Sequence, residues 1–181
     1  MTIGVPRCVR MTATLGGGWV EQRDLERTLA ALGTMREFEL ALAAMYSACA
    51  LRWPHDPACW EGLIAAEKGH ADYVKRLAGI VASRSLDFYP GRPLTSAAVE
   101  RQIDYVHHRT HEFTEGLVSE RQALLAIRDL ERSIIESNFF ELVHSPDPDY
   151  TGLVTTILDE TKDHVAAIDE RLETLAEEAR D

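Results

Sequence analysis

Residues 60–77, WEGLIAAEKGHADYVKRL, form the stretch that decides the fold of this chain. Its apolar residues recur at spacings of three and four, which is the stripe of an amphipathic helix. At about 100° of turn per residue, Glu67 lies at the centre of that stripe and His70 lies about 60° to one side. Burying an isolated carboxylate costs at least several kcal/mol unless it is protonated, paired or bound to a metal. The stretch therefore predicts a buried helix whose glutamate needs a partner.

The spacing Glu-x-x-His at 67–70 is one way to supply that partner. Such a pair on an inward helix face binds metal together with carboxylates from neighbouring helices. A lone copy of the tetrapeptide also occurs by chance on many helices. The interpretation thus depends on whether other helices of the chain provide matching carboxylates.

Length, composition and charge limit the classes of function. The 181 residues are enough for one domain with a substantial core, since 45% of them are apolar and 27% charged. The formal net charge of -11 argues against nucleic acid and against an anionic membrane as partners. No apolar run approaches the roughly 18 residues that span a bilayer. We therefore expect no nucleic acid and no membrane among the partners.

The cysteines indicate the compartment. Cys8, Cys49 and Cys59 are odd in number and contain no C-x-x-C spacing, so they form no disulfide framework. Residues 1–20 lack a continuous apolar segment of signal-peptide length. Both features predict a cytoplasmic protein.

The N-terminal part of the chain is predicted to be separate from the main domain. Residues 1–33 are interpreted as a flexible lead-in with a short helix over 20–32 that stops at Gly33. The sequence TMRE at 34–37 has the form of a capping box, which predicts the start of helix A. Helix A then continues to about Arg52.

Capping residues predict where the following helices begin. Asp56 precedes Pro57 and is expected to cap helix B, because proline suits the first turn of a helix. Thr95 or Ser96 is expected to cap a further helix inside the connection after helix B. The sequence SERQ at 119–122 forms a second capping box and predicts the start of helix C.

The order and length of these helices predict an all-α fold. Helix B spans about 56–83, helix C spans 119–143 and helix D spans 150–178, while the long connection 85–118 contains its own helix. The links A–B and C–D are short, and the B–C crossover is long. This is the layout of a ferritin-like antiparallel four-helix bundle, here over residues 34–178.

Three further helices repeat the anomaly of Glu67. Glu131 lies at the centre of the apolar stripe of helix C, and Glu39 lies among the apolar residues of helix A. His164 lies on the inner side of helix D. Each of these side chains, taken alone, could be an edge residue whose head reaches water. Three glutamates converging in one core would repel each other, whereas two divalent cations would relieve both repulsion and desolvation. Carboxylates with a few imidazoles suit iron or manganese rather than structural zinc.

With these residues the chain resembles the rubrerythrin branch of the ferritin-like di-iron carboxylate proteins. The resemblance extends over about residues 34–175. It is carried by Glu39 with Tyr46 seven residues later, by EKGH at 67–70, by AIRDLE at 126–131 and by DHV at 163–165.

The resemblance implies a set of roles. Glu39 would be a terminal ligand of one metal, Glu67 a bridging ligand and Glu131 a ligand of the second metal. His70 and His164 would bind one metal each. The implied cofactors are two iron ions, with manganese or mixed metals as alternatives.

It also implies redox chemistry on peroxide, oxygen or ferrous iron, with electrons from a separate donor, in a homodimer. Tyr46 is the candidate catalytic residue as a redox tyrosine near the metals. The alternative is a core tyrosine with a hydrogen bond.

Helix D departs from the family pattern. The family has a glutamate three residues before the histidine of this helix, and that position is Thr161 here. With His164 at zero, Thr161 falls near about +60° and Glu160 near about -40°, so Thr161 faces the core and Glu160 lies at the margin. Because Glu160 and His164 are one turn apart, Glu160 is the candidate sixth ligand, on the metal held by that histidine. The alternative function is a bundle with a degenerate metal site that acts as an oligomeric structural or regulatory module.

Overall fold

The computed structural model describes residues 22–84, 88–90, 95–136 and 143–180. The fold is all-α, which confirms the predicted class. Its five helices are α1 (Gln22–Arg52), α2 (Pro57–Ser83), α3 (Ser96–Thr114), α4 (Glu120–Glu136) and α5 (Pro148–Glu178). The strands in these ranges, β1 (Tyr89–Pro90) and β2 (Val143–His144), have two residues each and pair in antiparallel orientation.

The predicted helix break at Gly33 is wrong, because α1 runs through it without interruption. Thr34 does not cap a new helix; its Oγ1 donates to the carbonyl of Ala30, four residues earlier, as a hydroxyl inside a helix does. Leu32 and Met35 on either side are fully buried. A glycine inside a helix costs about 1 kcal/mol. Burial of these two side chains stabilises the continuous helix by more than that. Residues 1–21 of the predicted lead-in lie outside the described residues.

Three other predicted helix starts, those of α2, α3 and α4, are confirmed. Asp56 accepts a hydrogen bond from the backbone N–H three residues later, and Pro57 occupies the first turn of α2. Thr95 caps α3 in the same way. Ser119 and Gln122 satisfy each other's backbone N–H groups, which is the reciprocal capping box.

The predicted extension of helix C to Val143 is wrong, since Val143 belongs to β2 and pairs with Pro90. The described part of α4 ends at Glu136, and residues 137–142 lie outside the described residues. Helix D begins two residues earlier than predicted. Asp147 accepts from two backbone N–H groups of the first turn of α5 and pairs with the Arg84 guanidinium.

The helices pack in a connected series. Helix α1 packs against α2 and α3, α4 packs against α5, and α2 also contacts α5. Between α1 and α2, the rings of Tyr46 and Trp60 lie 6.5 Å apart. Trp53, just after α1, lies 6.1 Å from the ring of Phe113 near the end of α3. No helix in the described ranges is long and apolar enough to cross a membrane.

We predict that Gly33→Ala raises the free energy of unfolding by about 1 kcal/mol, because alanine is the better helix former. A Cβ at this position would meet nothing within 4 Å. Urea unfolding measures the change. Gly116→Ala is the control with the opposite sign, since Gly116 has φ +68° and its Cβ would lie 3.1 Å from Arg52 Nη2. Destabilisation by Gly33→Ala would mean that the helix does not continue there.

Candidate metal centre

Five of the six predicted metal residues are buried in the helical core. They come from α1, α2, α4 and α5, and none is more than 5% exposed. Each belongs to the apolar stripe of its helix, so burial of that stripe carries the polar side chain inward. The five residues are Glu39, Glu67, His70, Glu131 and His164.

The first group joins α1 and α2. It consists of Glu39, Glu67 and His70, whose ligand atoms lie within 4.8 Å of one another. His70 Nδ1 is 3.4 Å from Glu67 Oε2 and 3.8 Å from Glu39 Oε2. A carboxylate pair and one imidazole nitrogen thus face a common point between the two helices.

The second group joins α2, α4 and α5 and shares Glu67 with the first. It consists of Glu67, Glu131 and His164, again within 4.8 Å. His164 Nδ1 is 2.9 Å from Glu67 Oε1 and 3.6 Å from Glu131 Oε1. The two oxygens of Glu67 therefore face different histidines, and the rings of His70 and His164 stack at 5.3 Å.

Several atoms of this cluster that could coordinate a metal have no hydrogen-bond partner among the described residues. These atoms are both oxygens of Glu67 and both ring nitrogens of His164, all of them buried. His164 Nδ1 and Glu67 Oε1 are close, but they are not aligned as a hydrogen bond. Polar atoms in a protein interior are normally satisfied. Close and unsatisfied carboxylate and imidazole atoms are what a cation would coordinate, so the two groups could hold metal ions.

The carboxyl groups of the cluster differ in the direction of their pKa shifts. Burial and the nearby Glu67 raise the pKa of Glu39 well above its usual value. Burial and Glu67 also raise the pKa of Glu131. For Glu67 itself, burial acts upward, but His164 and His70 outweigh it and lower the pKa to about 2. Of the three carboxyl groups, Glu67 is the one whose surroundings most favour the ionised form.

His164 supplies the compensating positive charge. Burial alone would lower the pKa of His164, but Glu131 and Glu67 raise it to about 10. The metal-free cluster therefore holds a protonated imidazole between two carboxylates. A divalent cation in the same place would satisfy the carboxylates and release that proton.

Tyr46 contacts the second group. It is fully buried, and its hydroxyl donates a hydrogen bond to Glu131 Oε1. Burial and then Glu131 raise the pKa of Tyr46 well above its usual value, so the phenol stays neutral. The hydrogen bond expected of a core tyrosine is present, and its acceptor is one of the predicted ligands. A redox role for Tyr46 stays a prediction.

Thr161 faces the core as the helical angles predict, and its side chain is 2% exposed. Its Oγ1 donates to the carbonyl of Ile157 and thus adds no carboxylate to the cluster. Glu160 lies outside both groups. Its Oε2 is 3.0 Å from Nε2 of His70, on the opposite edge of the ring from the Nδ1 that faces Glu39. The prediction placed Glu160 at the metal held by His164, whereas the packing of α5 on α2 brings its carboxylate beside His70.

Comparisons of the chain with protein-family models, with curated proteins and with solved structures found no match. Function is therefore inferred from the side chains of the site. Both groups consist of residues that the sequence singled out. The contact from Glu160 to His70 was missed, since helical spacing within α5 carries no signal for a partner on α2.

We predict that Glu39→Gln stabilises the chelator-treated protein by about 1–3 kcal/mol, because it removes one of three crowded buried carboxylates. The amide of glutamine could also donate a hydrogen bond to the unsatisfied oxygens of Glu67. Urea unfolding at neutral pH measures the change. Glu37→Gln is the matched control on the same helix, where the side chain is 60% exposed and pairs with Arg36, and it should change stability by less than about 0.5 kcal/mol. A destabilised Glu39→Gln protein would contradict repulsion within the cluster.

Proposed function

We propose that this protein is a ferritin-like di-metal carboxylate protein of the rubrerythrin type, with two iron ions and redox chemistry on peroxide, oxygen or ferrous iron. The observation that carries the proposal is the pair of buried groups that share Glu67. Manganese suits the same oxygen-rich donors, so manganese or mixed occupancy is the alternative. A cytoplasmic homodimer with a separate electron donor completes the proposal.

The contacts between helices support the bundle layout. Tyr46 meets Trp60 while the earlier Glu39 meets the later His70, so the contacts move in opposite directions along α1 and α2. The contacts between α2 and α5, and those between α4 and α5, also move in opposite directions, so both helix pairs are antiparallel. The pairs are His70 with Glu160, Glu67 with His164, Arg128 with Asp169, and Glu120 with Arg171.

Helix α3 fits the long crossover of that layout. Phe113 near its end contacts Trp53 just after α1, so the C-terminal ends of α1 and α3 lie together. Helix α2 leads the chain away from this end, and α3 returns it before α4 begins. Helices α2 and α4 then run in the same direction, as they do in ferritin-like bundles with one crossover.

Each residue of the cluster has a distinct proposed task. Glu39 and His70 would hold one ion, Glu131 and His164 the other, and Glu67 would lie between the two. Bound iron supplies the redox chemistry. Tyr46 holds a proton at Glu131 Oε1 and orients that carboxylate. The surrounding apolar residues exclude bulk water and strengthen these electrostatic interactions.

The two groups lack one negative charge for a pair of divalent ions. Two divalent ions would bring four positive charges, and the three glutamates of the two groups supply three negative ones. Thr161 is neutral, so the remaining charge would come from Glu160 beside His70, from a bound hydroxide or another small anion, or the site would hold fewer metals. This observation also favours the second candidate function, a bundle with a degenerate site that acts as an oligomeric structural or regulatory module. Metal content distinguishes the two functions.

We predict that the protein, stripped by chelator and reloaded anaerobically with ferrous iron, retains about two ions per chain after desalting. Glu67→Gln should retain less than half of that amount, because Glu67 belongs to both groups. Elemental analysis gives the stoichiometry. Glu61→Gln is the control, since Glu61 is exposed on the same helix. Negligible iron in the wild type, with manganese also unbound, would leave only the structural module.

We predict that Tyr46→Phe slows oxidation of the loaded ferrous iron by peroxide about tenfold, at unchanged iron content, because contacts of this kind tune ligands by 10–100-fold. Stopped-flow absorbance follows the oxidation. Tyr105→Phe on α3, where the side chain is 43% exposed, should behave as the wild type. Equal rates for all three proteins would remove Tyr46 from the chemistry.

A further inference from the structure

The two histidines of the cluster differ in what lies behind them. His70 has Glu39 and Glu67 on its Nδ1 side and Glu160 on its Nε2 side, at 3.0 Å. A carboxylate that accepts from one ring nitrogen keeps the proton there and leaves the other nitrogen free to bind a cation. It also orients the ring and makes the coordinating nitrogen more basic.

His164 lacks such a partner within the described residues. Its Nε2 is buried without a hydrogen bond, and its Nδ1 lies between Glu67 and Glu131. Among the described residues, no hydrogen bond orients this ring or selects which nitrogen of its neutral form would bind a cation. An ion entering here must also replace the attraction between this ring and two carboxylates.

The glutamates of the two groups also differ in how strongly they would bind a cation. Glu131 Oε1 accepts a hydrogen bond from the Tyr46 hydroxyl, which draws electron density away from that oxygen. Among the residues that the structure describes, no tyrosine donates such a bond to Glu39. In addition, the charge of Glu160 lies near the first group, and its side chain is only 38% exposed. Charge and ligand basicity therefore both favour a cation on the side of His70.

We infer that the two metal positions are unequal, and that Glu160 makes them so: the first divalent ion occupies the group Glu39, Glu67 and His70, and the second binds more weakly at Glu67, Glu131 and His164. The inference rests on the proposed two-metal function. Glu160 is then a positioning residue, which acts on the metal through His70. A difference of about tenfold or more in dissociation constant is expected, given the usual effect of a partner behind a histidine ligand.

The test is a titration of the chelator-treated protein with Mn²⁺, in which isothermal titration calorimetry measures binding. The wild type should give a tight and a weak class of one ion each. Glu160→Gln should weaken the tight class about tenfold and leave the weak class unchanged. Asp159→Asn is the matched control, because Asp159 is exposed on the same turn and pairs with Lys162.

Two variants assign the classes to the groups. His70→Gln should remove the tight class, and His164→Gln should remove the weak class, while circular dichroism checks that each variant stays helical. Electron paramagnetic resonance gives an independent signature in the wild type. At one equivalent of Mn²⁺ the unequal sites should give the signal of isolated ions, and coupled pairs should appear only with the second equivalent.

Two equal classes in the wild type, or an unchanged tight class in Glu160→Gln, would overturn the inference while leaving a two-metal protein. The reverse order, with His164→Gln removing the tight class, would overturn it as well. Absence of Mn²⁺ binding in the wild type, together with absence of iron binding, would overturn the proposed function itself. The two failures are therefore distinguishable.

Discussion

The structure depends on one electrostatic constraint: three carboxylates are buried in a helical core, and Glu67 lies within a few ångströms of each of the other two. Glu67 belongs to both groups, and each of its oxygens faces a different histidine. A charge in this environment must be neutralised, paired or coordinated, because desolvation costs several kcal/mol for each ion. Without metal, two effects limit this desolvation cost: the pKa of Glu39 is raised, and His164 is protonated. The same arrangement suits cations, which would replace these compromises with direct coordination.

Helix α5 links the two halves of the cluster in different ways. His164 enters the second group directly, whereas Glu160, one turn earlier, reaches across to the back of His70. Between them Thr161 faces the core but bonds to its own helix. One helix thus contributes a donor atom to one group, a supporting carboxylate to the other and no charge in the middle. A site built in this way is asymmetric before any metal enters.

The helix boundaries predicted from local sequence were wrong where tertiary packing contributes more free energy than local propensity. Gly33 and Thr34 together have the form of a helix boundary, yet α1 continues because the apolar residues on both sides pack into the same core. Val143 continues an apolar pattern, yet it pairs with Pro90 in a short strand. Propensities of about 1 kcal/mol per residue are small beside the burial of several large side chains. The capping residues Asp56, Thr95 and Ser119 succeeded because their hydrogen bonds are local and involve no distant partner.

By itself, the sequence determined the helical class, most helix starts and the inward direction of Glu39, Glu67 and Glu131. These features follow from the period of the helix, which fixes the face on which each side chain lies. Only the tertiary structure decided which atoms meet across helices. That Glu160 lies beside His70 rather than at the group of His164, and that Tyr46 donates to Glu131, depends on the relative register of neighbouring helices. Periodicity within one helix contains no information about that register, since it is set by how whole helix surfaces pack together.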